Sequence, residues 1–227
     1  MAPLSSMRIG LGALLSFNGG FVDTAGFLGL QGLFTAHVTG NFVTLAATLV
    51  MGTHGVVVKL LALPEFAIIV ALVRISGLAM SARGLPALPI LLMAKVCFLL
   101  AFFVLAVALG PFPDSDAPAA LLTGFAGVAG MAVQNAVQRV YLTGIPPTTL
   151  MTGNTTQAVL DSVDLIWGVK NDDTRAVRAR FGRTLHGIVW FAGGCAVAAA
   201  LYYWSGFWCL IVPVLVGAVT AVLRYEN

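Results

Sequence analysis

Three aspartates lie within apolar stretches of the sequence, where ionisable side chains are rare. Asp23 belongs to the first such stretch, and Asp161 and Asp164 belong to a later one. A charge at the centre of a bilayer costs about 2.5–3.5 kcal/mol on insertion scales, so each of these groups must be protonated, paired or hydrated. Two kinds of chemistry fit this pattern: an ion pair that holds helices together, or a site for a proton or a small solute.

Amide side chains are spaced so that a helix would place them beside one of these carboxyl groups. Asn154, Gln157, Asp161 and Asp164 follow one another at intervals of three, four and three residues, which puts them on one side of a helix. Similar polar residues, Asn135 among them, lie on one face of an earlier stretch. We therefore expect a solute or an ion to bind near the following residues: Asp23, Asn41, Asn135, Asn154, Gln157 and Asp161.

Two cations are expected at the same depth. Arg74 lies in the third apolar stretch and Lys95 in the fourth. Because an unpaired charge is costly there, we predict that Asp23 or Asp161 forms an ion pair with one of these two residues or faces water.

A Thr-Gly-Asn tripeptide occurs once in each half of the chain, as Thr39-Gly40-Asn41 and Thr152-Gly153-Asn154. We expect Thr39 and Thr152 to act as helix N-caps, and Gly40 and Gly153 to let another chain or a solute approach the backbone. The two helix starts would then face a shared cavity with their partial positive charges. The alternative is a pair of ordinary capped helix ends at the membrane surface.

The residues around the tripeptides also correspond, which indicates an internal duplication. Asp23 precedes Asn135 by the same interval as Leu30 precedes Leu142, and Pro146-Pro147 accounts for the extra residue between the tripeptides. We predict two sequence-similar halves, residues 1–113 and 114–227, with four membrane segments in each. Halves with an even number of spans would be parallel, and halves with an odd number would be inverted.

Composition places these elements in a membrane. Of 227 residues, 59% are hydrophobic and 9% are charged, with a mean hydropathy of +0.96, whereas soluble domains carry about 25% charged residues. This excludes a soluble or a disordered protein, and long apolar runs without a two-residue alternation favour helices over a β-barrel. We predict an all-α, polytopic membrane helix bundle of about eight segments, six to eight of them spanning: residues 9–30, 40–62, 64–82, 88–110, 117–138, 152–169, 185–204 and 206–224.

Motifs for other chemistry are missing from the sequence. It contains no GxSxG or HExxH motif, its cysteines (Cys97, Cys195 and Cys209) have no CxxC spacing, and its three histidines are isolated. We therefore expect no enzymatic activity, no metal site, no cofactor and no nucleic-acid partner.

Basic residues indicate the orientation in the membrane. Five of the twelve lie in one loop, from Lys170 to Arg183, and supply most of the charge difference between the two sides. The cytoplasmic side of a membrane protein is the side enriched in Lys and Arg. If all eight segments span, both termini are cytoplasmic, and the outer side carries only Arg83 and Arg139.

Two pairs of motifs carry a resemblance to a known family. They are Gly-Phe-Val-Asp at residues 20–23 with Gly-Leu-Phe-Thr-Ala-His-Val-Thr-Gly-Asn at 32–41, and Gln-Asn-Ala-Val at 134–137 with Thr-Thr-Leu-Met-Thr-Gly-Asn at 148–154. Both resemble signatures of the YoaK-like family of uncharacterised bacterial multi-pass membrane proteins, and the similarity covers nearly the whole chain. The resemblance implies a bacterial inner-membrane protein with six to eight helices, and it implies no substrate.

The leading hypothesis from the sequence is a small-solute transporter or permease, with proton coupling at Asp23 and Asp161. It rests on the duplicated unit, the matched polar breaks and the carboxyl groups at membrane depth, which transporter folds combine. The expected partners are the lipid bilayer, an unknown small solute and, in a homo-oligomer, a second copy of the chain. The alternative is a membrane scaffold or partner subunit without transport activity, whose glycine-rich face binds another protein.

Overall fold

The computed structural model of the chain describes residues 4–168 and 174–225, and side chains within those ranges from residue 10 to residue 222. All regular secondary structure in the described ranges is helical, as the composition predicts. The helices are α1 (Leu4–Gly29), α2 (Asn41–Met51), α3 (Val56–Ala82), α4 (Ala87–Leu109), α5 (Pro118–Tyr141), α6 (Met151–Trp167), α7 (Thr174–Ser205) and α8 (Ile211–Tyr225), with 3-10 turns at Val38–Gly40 and Gly206–Leu210.

Four helical stretches in the described ranges are long and apolar enough to cross a membrane. They are Val56–Ala82, Ala87–Leu109, Pro118–Tyr141 and the 49-residue stretch Thr174–Val222. The last one contains α7 and α8, and the chain turns between them at Gly206, whose φ is 56°. These stretches indicate an integral membrane protein.

The predicted second and third segments, 40–62 and 64–82, differ from the helices that form. The chain breaks at Gly52 and Gly55, whose φ values of 65° and 96° favour glycine, so α2 has only 11 residues. At 1.5 Å per residue α2 is about 16 Å long, about half the thickness of the hydrocarbon core. The predicted third segment begins at Pro64, but Pro64 lies inside the single helix α3.

The loop between α4 and α5 joins the end of α1 to the start of α3. Gln31, just after α1, donates from Nε2 to the carbonyl oxygen of Phe112 at 3.3 Å. The carboxylate of Asp116 accepts the four backbone N–H groups of residues 55–58 at distances of 2.9–3.0 Å. We call this the acidic end of the bundle, after Asp114 and Asp116. Helix α1 ends and helix α3 begins at this same acidic end. The connection between them, which contains α2, therefore enters the bundle and returns to the acidic end.

The opposite end carries the arginines, and we call it the basic end. The hydroxyl group of Tyr141, the last residue of α5, fills the space beside Gly77 near the end of α3. Arg139 near the end of α5 lines a cleft with Arg180 and Arg183 of α7. The eight-span topology predicted Arg139 and Arg83 on the side opposite Arg180. That placement is wrong, because α2 does not cross the bundle, so that α3, α4 and α5 run opposite to the predicted direction.

Helix α1 lies in the middle of the bundle and packs along α7 and α8, while α5 packs against α3 and α4. Glycines permit the closest approach. A Cβ atom on Gly20 would lie 2.2 Å from the Phe191 carbonyl oxygen, and one on Gly194 would lie 2.1 Å from that of Phe17. Gly20 of α1 and Gly194 of α7 therefore let these two helices pack closely, as small residues do in many membrane bundles.

The cap of α3 can be tested by substitution. Asp116→Ala removes the only side-chain acceptor for four N–H groups at the start of a long helix, and N-cap losses cost about 0.5–2 kcal/mol. We expect a lower unfolding temperature of the detergent-solubilised protein, measured by circular dichroism. Asp114→Ala, which removes a carboxylate that accepts one backbone bond in the same loop, should have a smaller effect. Equal effects of the two variants would contradict the role of Asp116.

Candidate functional site

The linker between α1 and α2, residues 30–40, is held by the carboxylate of Asp23. Asp23 Oδ1 accepts the backbone N–H groups of Thr35 and Ala36, each at 2.8 Å, and of His37 at 3.3 Å. Only 6% of Asp23 is exposed. The predicted ion pair of Asp23 with Arg74 or Lys95 does not form: Asp23 Oδ1 accepts backbone donors of the linker instead, and no ion pair among the described residues includes Arg74 or Lys95.

The asparagine of each tripeptide bonds to the backbone seven residues earlier. Asn41 Nδ2 donates to the Phe34 carbonyl oxygen at 2.8 Å, and Asn41 Oδ1 accepts the Phe34 N–H at 2.8 Å. Asn154 Nδ2 donates to the Pro147 carbonyl oxygen at 2.7 Å, and it makes no matching second bond because proline has no N–H.

The predicted N-caps are wrong. Neither Thr39 nor Thr152 caps a helix with its hydroxyl group: Thr39 lies in the turn before α2, and Thr152 is the second residue of α6. The reason is that the helices start elsewhere, at Asn41 and Met151, and that the neighbouring asparagines make the contacts to the linkers.

Three amide side chains on α5 hold the second linker, residues 142–150. Gln134 Nε2 donates to Thr148 Oγ1 at 3.1 Å and also to the Leu15 carbonyl oxygen on α1 at 2.9 Å. Asn135 Oδ1 accepts the Thr149 hydroxyl group at 2.7 Å. Gln138 Nε2 donates to the Ile145 carbonyl oxygen at 2.9 Å. The polar face of α5 that the sequence singles out therefore binds the linker backbone and its threonines.

The two linkers enter the bundle from opposite ends and approach each other along α1. Thr148 of the second linker lies against Gly19, where a Cβ atom would be 2.6 Å from its carbonyl oxygen. Residues 35–37 of the first linker bind Asp23, one helical turn further along α1. Both linkers therefore reach the middle of the bundle, and α2 and α6 start there rather than at its ends.

A cleft of about 680 Å³ opens beside this meeting point. His37 of the first linker contributes to its wall, and the other walls come from the second linker, α6, α7 and the end of α5. Of the predicted site residues, Asn154 and Gln157 line the cleft, with Thr152 and Gly153. Asp23, Asn41 and Asn135 do not line it, because they are occupied in holding the linkers.

Beneath the cleft, Asp161 forms an ion pair with Arg180 of α7. Arg180 Nη2 and Nε donate to Asp161 Oδ1 at 2.7 and 3.0 Å, and Gln157 Nε2 donates to the same oxygen at 2.7 Å. The Asp161 side chain is fully buried, whereas 40% of the Arg180 side chain is exposed. The hydrogen bonds from Arg180 lower the pKa of the Asp161 carboxyl below its ordinary value of 3.8. Helix α6 is not one of the four candidate spans.

The predicted partners of Asp161, Arg74 and Lys95, are therefore wrong. The sequence-based segment begins at residue 185, but α7 begins at Thr174. The additional turns extend into polar sequence, and they bring Arg180 alongside α6. Arg74 is exposed and Lys95 is fully buried elsewhere in the bundle.

Arginine side chains line this cleft. A smaller cleft of about 320 Å³ adjoins it, is lined by Arg139, Arg180 and Arg183, and shares the first two with the larger cleft. The side chain of Arg139 makes no hydrogen bond or ion pair with any residue that the structure describes. The start of α6 also lines the larger cleft and has no side-chain cap. Guanidinium groups and free N–H groups at a helix start both favour an anion.

The arginines of the cleft were missed as site residues in the sequence, where they read as markers of orientation. Polar segments next to membrane spans carry such residues for topology alone. What distinguishes Arg139 and Arg180 is their convergence from two helices, which no local pattern in the sequence encodes. Among the described residues, no group of three or more His, Cys, Asp or Glu side chains could hold a metal ion.

A family model described as "Protein of unknown function (DUF1275)" matches residues 11–223, which include both linkers and the cleft. The chain belongs to the DUF1275 family. DUF1275 membership is consistent with the resemblance to YoaK-like proteins. No curated protein and no solved structure matches the chain. Because the DUF1275 description assigns no activity, a function for this member must be argued from the cleft and the linkers.

The Asp161–Arg180 pair can be measured with a double-mutant cycle of Asp161→Asn, Arg180→Gln and the double variant. Hydrogen bonds between charged groups contribute about 1.5–3 kcal/mol, and exposure of Arg180 should hold the coupling free energy near the lower value. Since the pKa of Asp161 is lowered in the folded protein, the coupling should be fully present above pH 3.8 and lost as pH falls through the lowered value. Urea unfolding of the solubilised protein measures it. A coupling free energy near zero at pH 7 would show that the pair is not stabilising.

Proposed function

We propose that the protein transports a small anionic solute, which binds in the cleft at the basic end. The observation that carries this proposal is the cleft itself, where Arg139 and Arg180 converge beside the uncapped start of α6. The guanidinium group of Arg139 has no partner among the described residues. In a concave site large enough for a small molecule, such a group is a natural ligand for a carboxylate or phosphate group. The position of the cleft, at the point where the two linkers meet within the bundle, is suited to passage from one end to the other.

The proposal includes the internal duplication. Both linkers begin with the same two backbone bonds, Leu30 N–H to Gly26 O with Leu33 N–H to Leu30 O, and Leu142 N–H to Gln138 O with Ile145 N–H to Leu142 O. Each of these two bonds of the first linker has a counterpart at the equivalent position of the second, and Asn41 and Asn154 repeat a bond to the residue seven positions earlier. These matches support a common origin of residues 1–113 and 114–227.

A further correspondence concerns the contacts of the short helices α2 and α6 with the long helices α3 and α7. Lys59 Nζ of α3 donates to Thr48 Oγ1 of α2 at 2.7 Å, and Arg180 of α7 donates to Asp161 of α6 at the same distance. Thr48 follows the first Thr-Gly-Asn tripeptide at the same spacing as Asp161 follows the second. In each half, a cation on the long helix therefore anchors the short helix through the equivalent position.

The halves would be inverted, with three passes in each. Helix α1 ends at the acidic end and α5 ends at the basic end, so equivalent helices run in opposite directions. In this arrangement α1, α3 and α4 cross in the first half, α5, α7 and α8 cross in the second, and α2 and α6 return to the side from which they entered. Inverted repeats support transport because exchanging the conformations of the two halves moves the opening from one side to the other.

Orientation follows from the arginines. The six-pass arrangement gathers Arg83, Arg139, Arg180 and Arg183 at the basic end, which the excess of positive charge assigns to the cytoplasm. Both termini then lie on the cytoplasmic side, in agreement with the expectation from the sequence, while the acidic end with Asp114 and Asp116 faces outward.

Anion binding can be tested in lipid nanodiscs with sodium phosphate and sodium succinate as probes. Both should raise the unfolding temperature, whereas glycerol and choline chloride should not. Arg139→Gln should weaken the binding of the anions by about tenfold, because a charge-assisted hydrogen bond is lost. Arg83→Gln is the matched control, since Arg83 is exposed at the same end and outside the cleft. Equal binding by the two variants would contradict the assignment of the cleft.

The second measurement is the transport of whichever anion, phosphate or succinate, binds to the protein. Proteoliposomes that contain the protein should take up the radiolabelled anion faster than empty vesicles, and Arg139→Gln should slow the uptake. Binding without uptake by the wild-type protein would argue for a receptor or scaffold instead of a transporter.

The six-pass arrangement can be tested with single cysteines in a variant without Cys97, Cys195 and Cys209. Pro113→Cys, at the acidic end, should react with a membrane-impermeant maleimide in intact cells. Leu85→Cys, in the α3–α4 connection, should react only after the cells are permeabilised. The eight-span topology requires the opposite result at both positions, so labelling of Leu85→Cys in intact cells would exclude the six-pass arrangement.

A further inference from the structure

Four buried side-chain atoms lack a hydrogen-bond partner among the described residues, and three of them belong to Asn18, Lys95 and Gln134. These atoms are Asn18 Oδ1, Lys95 Nζ and Gln134 Oε1; the fourth is Glu65 Oε2. Lys95 and Asn18 are completely buried, and Gln134 is 1% exposed. An unpaired buried polar atom is rare, because it loses its bonds to water without replacement.

The register of the helices places the three residues at one level. On the α4–α5 interface, Phe102 lies against Gly127 and Leu99 lies against Gly130. The helices are antiparallel, so the next turn places Lys95 opposite Gln134. On the other side of α4, Val96 and Leu99 contact Gly217 of α8, and the amide group of Asn18 lies 3.7 Å from a Cβ atom built on that glycine.

The chemistry of the three groups is complementary. An ammonium group offers three donors, and each amide oxygen is an acceptor. No Asp or Glu of the described residues lies within ion-pair distance of Lys95. A buried ammonium group without a counter-charge costs several kcal/mol. The charged form of Lys95 therefore depends on how closely the two amide oxygens approach its Nζ atom. Helix movement and protonation of Lys95 are thereby linked.

We propose that Lys95, Asn18 and Gln134 form a proton-binding site in the core of the bundle, and that this site couples transport to proton movement. The lone pair of the Lys95 amine forms a bond with a proton from a hydronium ion, whose O–H bond breaks to leave water, and the resulting ammonium donates to Asn18 Oδ1 and Gln134 Oε1. When the helices separate, the ammonium loses these acceptors and returns the proton to water. The coupling role rests on the transport function proposed above.

Gln134 connects this site to the cleft. Its Nε2 atom donates to Thr148 Oγ1 in the second linker, and the following residue Thr149 lines the cleft. A shift of Gln134 toward Lys95 would therefore pull on the linker that forms the cleft wall. Asn18 is connected in a similar way to α8, since its Nδ2 donates to the Pro213 carbonyl oxygen at 3.2 Å.

Other titratable groups near these helices are occupied or lie at another level. Asp23 of α1 accepts the backbone of the first linker. Glu65 of α3 lies closer to the acidic end than Lys95 does, because Val58 of α3 contacts Gly124 of α5 and Tyr141 of α5 contacts Gly77 of α3. The remaining titratable side chains that the structure describes on the helices and the turn packed around α4 are Lys59, Arg74, Arg139, Tyr141 and Cys209.

Solid-state NMR of the protein in lipid vesicles tests the site directly. The chain contains only three lysines, Lys59, Lys95 and Lys170, so side-chain ¹⁵N labelling gives three signals, and Lys95→Arg identifies the one from Lys95. We expect the Lys95 signal to change between ammonium and amine within the pH range in which the protein remains folded. A Lys95 signal that keeps one form throughout this range would overturn the proton-binding site.

Flux measurements separate this inference from the transport proposal. An imposed pH gradient should accelerate uptake of the anionic probe by the wild-type protein and by Lys59→Met, the matched variant of the other described buried lysine. It should have no effect on Lys95→Met. Uptake that is independent of the gradient in wild type would overturn the coupling role and leave the transporter intact. A titrating Lys95 in a protein without uptake would support the proton site and contradict the transporter.

Discussion

Backbone polar groups inside a membrane protein must find partners within the protein, and this constraint governs the centre of the molecule. Two non-helical linkers enter the bundle, and each unpaired N–H or C=O group there would cost several kcal/mol. The carboxylate of Asp23 and the amides of Asn41, Gln138 and Asn154 supply the partners. The polar residues that first suggest chemistry are thus mainly the means by which the chain tolerates two breaks in its helices.

The breaks in turn create the cleft. Because the linkers occupy the space between α1 and α5, α2 and α6 start half-way between the two ends of the bundle. Both lie on its outer side, where α2 packs on α3 and α6 packs on α7. The uncapped start of α6 and the arginines of α5 and α7 are then left around a concave surface. A continuous helix through this region would pair its backbone internally and would leave no such surface.

The sequence predicts the properties that depend on composition and local pattern. The helical class, the apolar stretches that become α4 and α5, and the importance of both Thr-Gly-Asn regions follow from it. The ion pairs do not, because Asp161 meets an arginine on a helix that extends beyond its apolar run. The role of Asp23 does not either, since its partners are backbone N–H groups, which every residue except proline has. Residues 40–62 are apolar enough to predict one helix, but Gly52 and Gly55 adopt left-handed conformations that interrupt it. Hydropathy carries no information on backbone conformation.

Proline at position 147 makes the two linkers unequal. Phe34 exchanges two bonds with its asparagine, whereas Pro147 has no N–H and receives one. Two segments with the same asparagine contact can therefore differ by one hydrogen bond through a single main-chain atom. The second linker, which forms a wall of the open cleft, draws more of its attachment from side chains of α5, so substitutions at Gln134, Asn135 or Gln138 act directly on that wall.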